Sequence, residues 1–186
     1  VTEEINNAIA SLEQGGLILY PTDTLWAIGC DATNDLAIQK LYQLKQQAQG
    51  VPMVCLVAHD GMLANYVENV PELAYDLMDL NEKPTTIIYD SSIGISKNIA
   101  AQDGSVAIRV ASDKFCSYLI NKFKKPIVAT IANCKGSPTP KSFKEIDQAV
   151  LKGVDYVVNL QKENERSQLS TIIKLSNDYK VKVIRE

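Results

Sequence analysis

The chain of 186 residues has one histidine, His59, and its four cysteines, Cys30, Cys55, Cys116 and Cys134, form no C-x-x-C pair. A single imidazole cannot build an H-E-x-x-H zinc site, and cysteines so far apart make no zinc ribbon. No protein-ligated transition metal is therefore expected. Cys30, Cys55 and Cys116 sit in apolar patterns and read as small core residues, which points to a reducing compartment rather than a disulfide framework. Positive charge is not in excess: 19 Lys and Arg face 22 Asp and Glu, a net charge of −3. No global basic field recruits nucleic acid, so any RNA contact would need a local patch. The longest basic cluster, Lys122, Lys124 and Lys125, reads as a solvated helix end. No apolar run approaches the roughly 18 residues of a membrane span, and the first residues lack a charged-then-apolar signal pattern. The expectation is a cytoplasmic protein without membrane contact. G-x-G-x-x-G, Walker A and G-x-S-x-G sequences are all missing, so no Rossmann cofactor site, P-loop or hydrolase elbow is signalled.

What the chain does contain is organised around Leu17 to Ala32, LILYPTDTLWAIGCDA. Leu17 to Tyr20 has the length of a buried strand, and Pro21, with no N–H to donate, is expected to end its ladder. Thr22-Asp23-Thr24 follow, then an apolar path resumes at Leu25. A hydroxyl–carboxylate–hydroxyl cluster between two buried segments is either a strand end closed by an Asx-type turn or a ligand site, with equal weight on the residues alone.

Elsewhere the pattern alternates. Ile5, Ala8, Ile9 and Leu12 share a helical face over Glu3 to Gln14, with Thr2 as cap and Gly15-Gly16 as stop. Thr33 or Asn34 caps a second helix carrying Ile38, Leu41 and Leu44, with Tyr42 and Lys45 together on a neighbouring face. Strands are predicted at 53–58, 85–89, 106–110, 127–131, 154–160, 171–175 and 181–185, and helices at 62–67, 71–80, 113–123 and 142–151. The reading is one α/β domain over 1–186: a twisted, mixed, open sheet flanked by helices, antiparallel in part because no helices separate the last strands.

Phosphate handling without a P-loop needs turn amides, hydroxyls and separate cations. Lys45 ends a helix, and Arg109 interrupts an apolar strand. Thr130, Asn133, Ser137 and Thr139 follow another strand, and Ser170 and Thr171 open a further one. Each has a bland account as well: opposition to a helix dipole for Lys45, a carboxylate partner for Arg109, and ordinary turn formation for the loop residues. Their shared place at strand ends, where α/β proteins set ligands, is the reason to group them.

Taken together, GGLILYPTDTLWAIGCDA, AIQKLYQLK, PMVCLV, KPTTIIY, VAIRV, VATIANCKGSPTP, VDYVVNL, STIIKL and the closing VIR resemble the YrdC-like family, the threonylcarbamoyl-AMP synthases. The resemblance covers essentially the whole chain. It implies a mixed sheet flanked by helices with one concave cavity. It also implies synthesis of threonylcarbamoyl-adenylate and pyrophosphate from threonine, bicarbonate and ATP, with magnesium accompanying the nucleotide, for a tRNA adenosine modification. By the same resemblance Lys45, Asn133 and Arg109 would be catalytic, and Thr22, Asp23, Thr24, Thr130, Ser137, Ser170 and Thr171 would bind substrate. Of these, Thr22, Thr24 and Ser170 would hold threonine and its carbamate, Lys45, Thr130 and Asn133 would meet the adenylate, and Arg109 would be a remaining anion-binding group.

The chain departs from that pattern where charge is handled. It keeps Lys45 but has Gln47 in place of the arginine of a Lys-x-Arg pair. It keeps Asn133 but has Ile131 in place of the serine of Ser-x-Asn, and Val51 stands where a basic residue is usual. A hydrogen bond to a charged group contributes roughly 1.5–3 kcal/mol, so the arginine alone is worth about one to two decades of phosphate binding. Two readings follow: a weakened synthase, or a non-catalytic paralogue that binds a nucleotide or RNA in the same cavity.

Overall fold

The apolar run Ile18–Pro21 forms β1, which turns at Thr22–Leu25 and pairs antiparallel with β2 (Trp26–Gly29). Both strands are buried throughout, which is why they read as continuous apolar runs rather than alternating ones. Pro21 does not end the ladder; it pairs with Trp26. The Thr22 amide bonds the Leu25 carbonyl, so alternation makes Pro21–Trp26 a non-hydrogen-bonded pair, where no N–H is required.

The remaining elements of this computed structural model, which describes Val1 to Glu186, follow in order. Helices are α1 (Thr2–Glu13), α2 (Asp35–Lys45), α3 (Asp60–Tyr66), α4 (Glu72–Leu80), α5 (Lys114–Phe123) and α6 (Gln148–Gly153). Strands are β3 (Cys55–Val57), β4 (Thr85–Tyr89), β5 (Val106–Val110), β6 (Ile127–Val128), β7 (Thr130–Ile131), β8 (Tyr156–Val157), β9 (Thr171–Leu175) and β10 (Val181–Arg185). Asn34 caps α2 by accepting the Ala37 amide, and Asp113 caps α5 by accepting that of Cys116. Thr2 does not cap α1; it is the first helical residue, after Val1.

Hydrogen bonding divides the expected single sheet into two: β7-β2-β1-β8 and β10-β9-β4-β5-β3-β6. Both mix parallel and antiparallel pairs. The segment expected as one strand over 127–131 is the reason. β6 pairs with β3 in the larger sheet, the Ala129 amide reaches the Val54 carbonyl at 2.8 Å, and β7 then pairs with β2 in the smaller sheet. The chain crosses back between β8 and β9, through 158–170. The strand expected over 154–160 shortens to β8, and the helix expected over 142–151 splits at Asp147, whose extended backbone separates a 3₁₀ turn at Phe143–Glu145 from α6. A continuous core built on Trp26, Tyr20, Tyr42 and the aliphatic residues around them fills the interior.

Candidate active site

A cavity with ≈ 630 Å³ of empty space, its mouth included, opens between the two sheets. One wall carries Thr22, Thr24 and Trp26 from the β1–β2 hairpin with Thr130 and Ile131 of β7; the other carries Arg109, Ser170 and Arg185 from β5, β9's start and β10. The chain passes between the sheets three times, and each crossing lends lining residues: Pro52 to Val54 before β3, Ala129 between β6 and β7, and Leu169 and Ser170 before β9, so the split of the sheet creates the cavity.

Arg109 is buried, and its Nη2 stands 3.1 Å from Asp23 Oδ1 in an ion pair whose carboxylate side chain is 4% exposed. Nη2 also donates to Thr24 Oγ1 at 3.3 Å, and Nη1 to Thr86 Oγ1 at 3.4 Å. These are long contacts, the Asp23 contact lacks hydrogen-bond alignment, and Arg109 Nε has no partner at all. A buried guanidinium held this loosely retains donors for another anion. The Thr86 and Ser170 hydroxyls share a hydrogen bond of 2.8 Å, and Arg185 donates from Nε to the Ser170 carbonyl at 2.9 Å and from Nη2 to its hydroxyl at 3.3 Å. Burial, and then the Arg109 charge, lower the Arg185 pKa. Two guanidiniums thus face one carboxylate across neutral hydroxyls.

Thr22 answers the question left open by its sequence. Its Oγ1 accepts the Thr24 and Leu25 amides and donates to the Leu25 carbonyl at 2.7 Å, so its proton is committed to closing the turn. Thr24 is the hydroxyl turned to Arg109. Asp23 is committed on its other oxygen as well, accepting Ser112 Oγ at 2.8 Å.

Lys45 and Asn133 form a second cluster behind Ile131. Lys45 is 4% exposed; its Nζ donates to the Ile131 carbonyl at 2.5 Å and to Asn133 Oδ1 at 3.1 Å, while Asn133 Nδ2 donates to the Ser137 carbonyl. No carboxylate pairs with this ammonium, and burial pushes its pKa down to about 8. Ile131, whose carbonyl Lys45 holds, lines the cavity, and Lys45 and Asn133 do not. Gln47 lies just beyond the left-handed Gln46 that closes α2, its amide bonded to the Tyr42 carbonyl. Val51 is exposed and contributes a carbonyl to Tyr42. Thr171 lies between the cavity-lining Ser170 and Ile172, on the opposite face of its strand.

The residue reading did not single out Thr86 or Arg185 as site residues. A signal for the latter was available: the chain has only three arginines, Arg109, Arg166 and Arg185. Two line the cavity, and the third donates to the Thr22 carbonyl at 2.5 Å. His59 caps α3, its Nδ1 accepting the Met62 amide, and the four cysteines are buried free thiols. No three His, Cys, Asp or Glu side chains are grouped to hold a metal, and no helix is long and apolar enough to cross a membrane.

A cavity between two mixed sheets, with arginines and hydroxyls set at strand ends, defines an α/β protein suited to a small anionic ligand. The family model Sua5_yciO_yrdC, described as telomere recombination, matches residues 10–186. The chain belongs to the Sua5/YciO/YrdC family. It is 32% identical over 149 residues to the threonylcarbamoyl-AMP synthase of Vibrio parahaemolyticus, covering 78% of this chain and 79% of that one. With the Xylella fastidiosa enzyme of the same name it shares 26% over 153 residues, 81% and 82% of the two chains. Escherichia coli YciO superposes with a TM-score of 0.81 at 25% identity, covering 98% of this chain and 88% of that one. Sua5 of P. abyssi complexed with L-threonine has the same fold, with a TM-score of 0.81 at 22% identity over 92% of this chain; the match spans 50% of that longer chain.

Proposed function

We propose that this protein makes threonylcarbamoyl-adenylate from threonine, bicarbonate and ATP, at a rate reduced by Gln47, Val51 and Ile131. The observation that carries the reading is the Asp23–Arg109–Thr86–Ser170–Arg185 chain, in which two guanidiniums that line the cavity are opposed by one carboxylate, with Thr22, Thr24, Thr130 and Ser170 lining it beside them. The family's named activity and the L-threonine bound to P. abyssi Sua5 supply the substrate class.

Threonine and bicarbonate combine to an N-carboxy compound with loss of water. Its carbamate oxygen then attacks the α-phosphorus of ATP, and the bond to pyrophosphate breaks. Both partners are anionic, so the site must offset charge as they meet. Arg109, Thr24 and Ser170 would hold the amino-acid carboxylate and carbamate, Arg185 and Thr130 the adenylate, and Lys45 with Asn133 the phosphates. Magnesium would enter on the nucleotide: Asp23 is occupied by Arg109 and Ser112, so the chain offers hydroxyls rather than a carboxylate cage. The tRNA modification downstream is proposed on family grounds.

A second reading, a non-catalytic paralogue retaining nucleotide or RNA binding, is favoured by one feature: buried Lys45 uses two of its three donors on the Ile131 carbonyl and Asn133, and apolar Ile131, not Lys45, lines the cavity. Pyrophosphate release dependent on both threonine and bicarbonate separates the two. The wild type is expected to turn over measurably, and a Gln47→Arg, Ile131→Ser double variant to be at least tenfold faster. A silent wild type beside an active variant supports the paralogue, and silence in both sinks the synthase reading.

A further inference from the structure

Arg166 belongs to neither strand nor helix, yet it engages the turn around which the site is built. It lies in the crossing from β8 to β9, the segment 158–170 that leaves the smaller sheet and enters the larger one. Its Nη1 donates to the Thr22 carbonyl at 2.5 Å, across 144 residues of chain, and its backbone amide donates to the Lys141 carbonyl at 2.6 Å. No acidic residue pairs with it, and its Nε is buried without a partner.

A second tether lies four residues earlier. Lys162 Nζ stands 4.6 Å from the Phe143 ring centroid, and that ring packs at 5.1 Å and 57° on Trp26, which lines the cavity. Three and four residues after Arg166, Leu169 and Ser170 themselves line the cavity. The crossing is therefore pinned to the hairpin wall just before it delivers Ser170 to the opposite wall. The residue that holds this carbonyl is one of only three arginines beside sixteen lysines, and a guanidinium, unlike an ammonium, keeps its donors in one rigid plane, so the single Nη1 bond also orients the group.

We propose that Arg166 is a positioning residue: it latches the β8–β9 crossing onto the Thr22–Leu25 turn and so fixes the separation of the Thr24 and Ser170 hydroxyls across the cavity. The latch holds the turn by its first carbonyl, that of Thr22, while the Leu25 carbonyl closes the turn by accepting the Thr22 amide and hydroxyl. Thr22 uses its hydroxyl for the Thr24 and Leu25 amides, so freeing the Thr22 carbonyl lets the turn tilt as a unit. The effect on a ligand rests on the threonine reading above; the latch itself does not.

The test compares Arg166→Lys and Arg166→Ala with the wild type by three measurements. Glu-C cleavage after Glu163 and Glu165, sites present in all three proteins, reports the crossing. Threonine γ-methyl NMR reports the turn, with Thr2 and Thr33 as internal controls. L-threonine affinity reports the cavity. Arg166→Ala is expected to be cleaved at least tenfold faster, to shift the Thr22 and Thr24 methyls but not the controls, and to bind L-threonine about tenfold more weakly. Arg166→Lys should recover part of each. Wild-type cleavage and unshifted methyls in Arg166→Ala overturn the latch, as does uniform shifting of all methyls, which would mark general destabilisation. If the wild type itself binds no L-threonine, the threonine reading fails while cleavage and methyl shifts still decide the latch.

Discussion

At the scale of single residues, the site's charge is set by which cations have partners. Lys45 has two neutral acceptors and no carboxylate, and burial draws its pKa from 10.5 down to about 8. Because the folded value lies below the unfolded one, the unfolded chain binds more protons between pH 8 and 10.5. Stability attributable to Lys45 therefore rises with pH across that window, and the cost of burying the charged form is fully present below it. A tenfold change in proton affinity corresponds to about 1.4 kcal/mol, so the wild type should gain on the order of 3 kcal/mol relative to Lys45→Met as pH rises through the window. Urea denaturation of both proteins at each pH measures it, and subtraction removes the buried tyrosines and thiols, which titrate in the opposite sense. A pH-independent difference would mean that the ammonium is solvated. The sequence placed Lys45 with Tyr42 on a face beside the inward one and could foretell neither its burial nor that its acceptor would be the backbone of Ile131, since that contact spans 86 residues.

At the scale of elements, patterns confined to one segment were legible and patterns that depend on a crossing were not. β4, β5, β9 and β10 run over the residues that alternation and flanking turns predict, and Asn34 caps α2 as its side-chain chemistry requires. The single strand expected at 127–131 fails because apolarity does not reveal a change of sheet; Ala129 makes that change through a bond to Val54. Close approach at Gly29 holds the same junction. A Cβ there would meet the Val128 carbonyl at 2.4 Å and the Tyr20 ring at 2.6 Å, and those two atoms' groups are locked by the 2.8 Å bond from Tyr20 Oη to Val128. Gly29→Ala should cost about 3 kcal/mol, the upper end of overpacking. Gly153→Ala meets only the end of the half-buried Leu44 side chain, at 2.2 Å, which can change rotamer, so its cost should stay below about 1 kcal/mol. Thermal midpoints separate the two, by roughly 2–4 °C per kcal/mol in a chain of this size. Equal midpoints would show that β2 and β6 can part at no cost.

At the scale of the whole molecule, the site is a meeting of sheets, and this explains why its residues are scattered from 22 to 185 in the sequence. The PTDT turn and Arg109 are legible in the sequence because there polarity interrupts apolar strands. Arg185 closes an exposed edge strand, where a cation is unremarkable until the fold brings it to Ser170. Once there, Arg109 and Arg185 repel one another, and Asp23 neutralises only one of them. The fold therefore carries an electrostatic cost that a bound anion would relieve, so an anion should stabilise it beyond the general effect of salt. At a hundred times its dissociation constant, a ligand specific for the folded state adds about 2.7 kcal/mol. Inorganic pyrophosphate should then raise the thermal midpoint by roughly 5–10 °C. Arg185→Gln should lose at least half of that rise, and 1 M NaCl should reduce it by screening the open side of the cavity. An equal rise in Arg185→Gln would place the anion elsewhere, and no rise in the wild type would show that Asp23 and the surrounding hydroxyls already satisfy both guanidiniums.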